Sequence, residues 1–267
     1  MKKNIKLIVL DIDGTIVGKS TKPSERVKKA IKKVTRQGVK VVIATGRMYE
    51  ATYPLLEELG LDTPCINYQG AVIRDRDKIY REIKLPKNLV MEVANALRPF
   101  DVQVNLYAEG KLIVEKVYDC LANYIGIRHI GYKKVDRFED LHDAHFAKLV
   151  AIDDNKDKVS EIRDIFAEKY KGVLNVVKST DNYCEFVDIE ASKGKSIKFL
   201  AGMWGLKTDE IMAAGDQDND IDMIEAAGFG VAMANGSPDI KKNADFIAPD
   251  VEEDGIAQVI EKFVLND

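Results

Sequence analysis

Three times along its 267 residues this chain runs through a short apolar stretch and stops on polar chemistry. Leu7 to Leu10 ends on Asp11-Ile12-Asp13-Gly14-Thr15, and Val39 to Ala44 ends on Thr45-Gly46-Arg47. Ile211 to Ala214 ends on Gly215-Asp216-Gln217-Asp218-Asn219-Asp220. Runs that are apolar almost throughout (Lys40 is the exception), rather than alternating, fit strands covered on both faces, as in a parallel sheet. Helical patterns lie between them. Pro23 to Gln37 keeps Val27, Ala30, Ile31 and Val34 on one face and stops at Gly38. Met48 to Leu59 stops at Gly60 and is expected to bend or restart at Pro54. Strand, helix, strand, helix with polar strand ends predicts an α/β protein, a doubly wound, Rossmann-like parallel sheet.

From about Glu82 to Phe186 the pattern changes. Val102-Gln103-Val104-Asn105-Leu106 and Lys111-Leu112-Ile113-Val114-Glu115 are short alternating runs, suited to antiparallel strands with one covered face. A helical pattern follows over Lys156 to Tyr170. This reads as an α+β unit inserted into the first fold, so the expected division is 1–81 with 187–267 for the core and 82–186 for the insert. The βα rhythm then resumes with a helix over Lys193 to Trp204, the strand Ile211 to Ala214, a helix near Ile221 to Ala227, and Ile256 to Phe263 at the end.

Composition narrows the partners. A net charge of -4 argues against a nucleic-acid binder as a whole, because phosphate backbones are gripped by excess Lys and Arg. The lysines between Lys22 and Lys40 flank a regular apolar stripe and read as a solvated face. Three widely spaced cysteines, Cys65, Cys120 and Cys184, give neither a disulfide framework nor a zinc cluster, which fits a reducing cytoplasm. The basic start Met1-Lys2-Lys3 leads into an apolar run too short for a signal peptide. No stretch approaches the ~20 apolar residues of a membrane span. The expectation is a soluble, cytoplasmic protein with no membrane or nucleic-acid partner. Its oligomeric state is not readable.

The strand ends carry the candidate chemistry. Asp11 and Asp13 are two apart just past a strand, so one carboxylate can attack phosphorus while the other handles protons. Backbone amides of that turn can cradle phosphate oxygens, and Gly14 permits the close approach. Taken alone, Asp-Ile-Asp-Gly is equally a polar turn. Thr45 with Gly46 and Arg47 opens a helix, as an anion site does, although an N-cap threonine would look the same. The acidic segment Asp216 to Asp220 has no Cys or His nearby and suits a hard cation such as magnesium. It lacks the Gly and distal Glu of an EF-hand; a solvated acidic loop is the plain alternative. Lys193 starts a helix and could neutralise phosphate charge. Together the four segments form a phosphoryl-transfer set, which none of them does alone. His142 and His145 are three apart, but no third ligand of that kind is evident. Trp204 and Tyr68 read as core or pocket walls.

With these residues assembled, the sequence resembles the haloacid dehalogenase superfamily, and within it the sugar-phosphatase-like members with a type IIB (C2) cap. Leu10-Asp11-Ile12-Asp13-Gly14-Thr15 is similar to the first motif and Ala44-Thr45-Gly46-Arg47 to the second. Lys193 matches the third-motif lysine, and Gly215 to Asp220 the fourth motif. Val231-Ala232-Met233-Ala234-Asn235-Gly236 and Glu253-Asp254-Gly255-Ile256-Ala257 resemble the closing pattern. The chain departs from the family at Gln69-Gly70-Ala71, where Asn-Gly-Ala is frequent, a change expected to touch the cap junction or pocket wall. Little chain separates Thr15 from Thr45, and far more than the core needs separates Thr45 from Lys193, so the insert falls where type II caps occur.

The resemblance implies a Mg2+-dependent phosphoric monoester hydrolase acting on a small phosphorylated metabolite, with sugar phosphates expected. Asp11 would be nucleophile and Asp13 general acid/base, with an aspartyl-phosphate between two steps. Ile12, Thr45, Gly46, Lys193 and Asn219 would hold phosphate. Asp11, the Asp13 carbonyl and Asp216 would bind the metal, with Asp220 orienting that set. Arg47 and the cap residues Arg128, Tyr183 and Glu185 are candidates for substrate contact. A phosphomutase, or a sensor storing phosphate on Asp11 without turnover, would share these motifs.

Overall fold

β1 (Leu7–Leu10) is buried along its whole length. The structure, a computed structural model, describes residues 3–128, 130–141 and 145–265. α1 (Glu25–Arg36) starts where the Ser24 hydroxyl accepts the Val27 N–H, and it buries Val27, Ala30, Ile31 and Val34. β2 (Lys40–Ile43) pairs in parallel with β1. α2 (Tyr49–Leu59) runs unbroken through Pro54 and stops at Gly60 in the left-handed region. The helix does not restart at Pro54. Pro54 removes only the donor for the carbonyl of Glu50, an exposed residue, where water can substitute.

Three short strands follow, β3 (Cys65–Asn67), β4 (Val72–Arg74) and β5 (Ile79–Glu82), paired antiparallel. A single parallel bridge, Ala44 to Ile66, joins them to the end of β2. The chain then leaves the core for α3 (Lys87–Leu97), β6 (Gln103–Ala108), β7 (Lys111–Val114), α4 (Asp119–Arg128), β8 (Tyr132–Lys134), β9 (Phe146–Ile152), α5 (Lys156–Lys169), β10 (Leu174–Thr180) and β11 (Tyr183–Asp188). These strands form one sheet in the order β10-β11-β9-β6-β7-β8. It is antiparallel except for β7 and β8.

Alternation decides what that sheet covers. Leu106, Leu149 and Phe186 point outward, into a cluster with Val90 and Leu97 of α3 and Ile162 and Phe166 of α5. Their neighbours Tyr107, Val150 and Val187 point the other way, onto Leu121 and Tyr124 of α4 and onto Met48, Tyr68 and Ala71 of the core. A one-residue slip would exchange those faces, so burial on both sides fixes the register.

The core resumes with α6 (Lys193–Trp204), β12 (Ile211–Gly215), α7 (Ile221–Glu225), β13 (Phe229–Met233), α8 (Pro238–Asn243), β14 (Phe246–Ala248) and α9 (Gly255–Ile260). The parallel sheet has the order β14-β13-β12-β1-β2. Apolar clusters fill both of its faces, Ile8 and Leu10 on one and Leu7 and Val9 on the other. That two-sided burial is why β1 and β12 are unbroken apolar runs. β1 and β12 are adjacent, so Asp11 and Asp216 emerge side by side.

Candidate active site

The segments singled out in the sequence meet at the carboxyl ends of β1, β2 and β12. Asp11, Asp13, Thr45, Gly46, Arg47, Asp216, Asn219 and Asp220 line one cavity there. Lys193, the first residue of α6, is buried beneath it. Its Nζ donates to Asp11 Oδ1 at 2.7 Å and to Asp220 Oδ1 at 2.5 Å. The other Asp220 oxygen accepts the main-chain N–H groups of Asp216 and Gln217, at 3.1 and 3.3 Å. Asp220 thus ties the lysine to the turn that carries Asp216. The Ile12 side chain belongs to the core, which leaves only its backbone for a phosphate.

Close backbone approach explains the glycine at position 14. Gly14 has φ +87°, and a Cβ there would lie 2.2 Å from Asp216 Oδ2. Only glycine lets the turn after β1 rest on that carboxylate.

One ammonium faces three buried carboxylates. Oxygens of Asp11, Asp216 and Asp220 lie within 4.8 Å of one another. Burial pushes the Asp11 carboxyl well above its ordinary value, and the Lys193 charge only partly opposes this. Burial also raises Asp216, with the charges of Asp11 and Asp220 adding to it. For Lys193, burial alone would favour the neutral form, but Asp11 and Asp220 hold it as the cation. The Asp216 Oδ1 atom is buried without a partner, and Gln217 Nε2 donates to its Oδ2 at 3.1 Å. An all-oxygen cluster with excess negative charge and an unpartnered carboxylate oxygen fits a hard divalent cation.

The remaining motif residues make local ties. The Thr45 hydroxyl accepts the Arg47 N–H at 3.1 Å. Arg47, expected against substrate, forms a two-pronged ion pair with Asp13. Asn219 Nδ2 donates to Gln69 Oε1 at 3.1 Å, while Asn219 Oδ1 is buried without a partner. Gln69, expected at the cap junction or pocket wall, therefore also touches a motif residue. It sits in the left-handed region at φ 58° between β3 and β4. Tyr183 and Glu185 line the cavity. The side chain of Arg128 and all of His142 lie outside the described residues, and His145 is exposed. Lys148, on β9, also lines the cavity and was not singled out in the sequence. The available signal was a lone lysine in the otherwise apolar run Phe146 to Ile152.

The family model for haloacid dehalogenase-like hydrolases matches residues 8–260. This chain belongs to that family. Among relatives of this hydrolase, the protein YxeH of Bacillus subtilis strain 168 is 32% identical over 273 residues, covering 97% of this chain and 98% of its own. The 5-amino-6-(5-phospho-D-ribitylamino)uracil phosphatase YwtE of the same organism is 27% identical over 285 residues, covering 97% and 98%. The solved structure of the subclass IIB sugar phosphatase BT4131 superposes with a TM-score of 0.84 over 96% of this chain and 98% of that one. At 22% identity, that is a likeness of fold. Among the described residues, no helix of the hydrolase is long and apolar enough to cross a membrane.

Proposed function

We propose that this phosphatase of the haloacid dehalogenase-like hydrolases cleaves a small phosphorylated metabolite, with sugar phosphates the first expectation, by way of an aspartyl-phosphate on Asp11. The observation that carries the reading is the buried Lys193 ammonium bridging Asp11 and Asp220 at the end of β1. It holds one Asp11 oxygen and leaves the other for attack.

Asp11 attacks phosphorus in line, and Asp13 gives its proton to the departing ester oxygen. Water then loses a proton to Asp13 and attacks the phosphoryl group, releasing phosphate and restoring the Asp11 carboxylate. Thr45, Gly46, Asn219 and the Ile12 backbone hold the phosphate oxygens, and Lys193 offsets their charge. Asp11, Asp216 and the Asp13 main-chain carbonyl would hold Mg2+, which when bound offsets the repulsion between carboxylate and phosphate.

Residues 82–186 act as a cap. The cavity lies between cap residues such as Lys148, Tyr183 and Glu185 and the core motif residues, and closure of the cap over bound ester shuts out bulk water. Cys65, Cys120 and Cys184 are all unpaired, in keeping with a reducing cytoplasm. The test is phosphate release from a panel of sugar phosphates, nucleotides, pyridoxal phosphate and a phosphorylated ribitylaminouracil, with Mg2+ and then with EDTA. Metal-dependent release supports the reading. No release from any ester by the folded protein would overturn it, and release only after addition of a bisphosphate activator would replace it with a mutase.

A further inference from the structure

A buried ion pair lies within the cap where it meets the core. Lys148 and Glu185 sit on adjacent strands, β9 and β11, and are 2% and 3% exposed, unusual for charged residues. Lys148 Nζ donates to Glu185 Oε2 at 2.5 Å and to the carbonyl of Gly46, across the junction, at 2.7 Å. Glu185 Oε1 accepts from Gln69 Nε2 at 3.1 Å, and Gln69 in turn holds Asn219. The chain of contacts therefore runs from the cap to both core segments that would hold phosphate. Gly46 lies against it: a Cβ there would be 2.5 Å from Gln69 Nε2 and 3.0 Å from Glu185 Oε1.

Such a pair is a weak source of stability, since desolvating two charges offsets most of their attraction. Lys148 and Glu185 both line the cavity, facing the place where the first atoms of a leaving group would lie. An ammonium donates and a carboxylate accepts, so together they match a hydroxyl, which does both. A purely hydrocarbon leaving group would leave both charges without that partner.

We propose that Lys148 and Glu185 are the specificity-determining pair of the cap: they read a hydroxyl on a carbon next to the phosphoester, and Gln69 is the positioning residue that sets them against the phosphate cradle. The inference rests on the reading of the site as a phosphatase. Lys148 enters with the cap when it closes over bound ester, and Glu185 aims it. Discrimination should be roughly 10- to 100-fold, the scale of one hydrogen bond to a charged group.

The test compares kcat/KM for glycerol 3-phosphate and n-propyl phosphate, both with Mg2+. Wild type should favour the hydroxylated ester by that factor. Lys148→Met and Glu185→Gln should bring the ratio close to one, Lys148→Arg should restore part of it, and Gln69→Ala should lower it. Lys148→Met could fail to fold because it strands a buried carboxylate. The double variant Lys148→Met/Glu185→Leu removes both charges and should fold with the preference lost. A preference that survives in the folded double variant, or a wild type that turns over both esters alike, overturns the proposal. Wild-type protein that releases no phosphate from any ester overturns the underlying reading of the site instead.

Discussion

Arg47 grips Asp13 with two nitrogens of its guanidinium: Nε donates to Asp13 Oδ2 at 3.0 Å, and Nη2 donates to Oδ1. Both residues follow core strands, so the pair links the turn after β1 to the loop after β2. A planar fork of this kind fixes the direction of a carboxylate, which a lysine cannot do. Arg47→Lys should lower kcat/KM by roughly ten-fold or more if Asp13 is the proton carrier, because it loses its orientation. The melting temperature should change little, since the Asp13 side chain is 46% exposed and pairs of that kind contribute little stability. Steady-state kinetics beside thermal unfolding separates the two effects; unchanged kinetics would remove Arg47 from the positioning of Asp13.

Lys193 is the ammonium shared by the buried carboxylates Asp11 and Asp220, so its removal should cost stability as well as turnover. Lys193→Met leaves Asp11 and Asp220 without their partner. Loss of one member of a buried pair costs about 3–5 kcal/mol. Urea unfolding in EDTA should show a loss of that size, with a smaller loss when Mg2+ is present.

Asp216 Oδ1, buried without a partner, is the atom proposed to meet the cation. For wild type, Mg2+ at about 100 times its dissociation constant should add roughly 2.7 kcal/mol of stability. Asp216→Ala should abolish that gain, read as the thermal shift with and without Mg2+. A full shift in the variant would move the metal elsewhere.

Glu185 supplies a pH test. Burial alone would raise its carboxyl, but the Lys148 charge and hydrogen bonds from Lys148, Ser179 and Gln69 bring it below its ordinary value of 4.5. A depressed folded value means that its contribution is complete above that ordinary value. The contribution is then lost as pH falls through the lower, folded one. At pH 7, Glu185→Gln should be less stable than wild type by roughly 1.5–3 kcal/mol. The gap in melting temperature should narrow as pH drops below 4.5. A gap independent of pH would mean that the charge of Glu185 is not what matters.

The core of this protein is legible in its sequence because burial on both faces makes parallel strands into plain apolar runs. Leu7 to Leu10 and Ile211 to Gly215 are such runs, and each marks the place where a carboxylate emerges. The antiparallel additions are harder to read. β3, β4 and β8 have three residues each, too few for a period to register. β8 pairs in parallel with β7, a long-range choice that no local alternation encodes. Pro54 leaves α2 intact because what it disrupts is exposed. Lys148 was missed because its meaning depends on Glu185, 37 positions away, and on the Gly46 carbonyl. The sequence places Gln69 at the cap junction or pocket wall but not its partners, since its left-handed backbone and its contacts with Asn219 and Glu185 are long-range.

Covalent chemistry at Asp11 can be caught directly. Wild-type enzyme mixed with ester and Mg2+, quenched in acid within milliseconds and reduced with borohydride, would convert an aspartyl-phosphate to homoserine, which peptide mass spectrometry can locate. The expected result is homoserine at position 11, absent without ester and absent in Asp11→Asn. Phosphate release with no modified residue, or with homoserine at another aspartate, would contradict it.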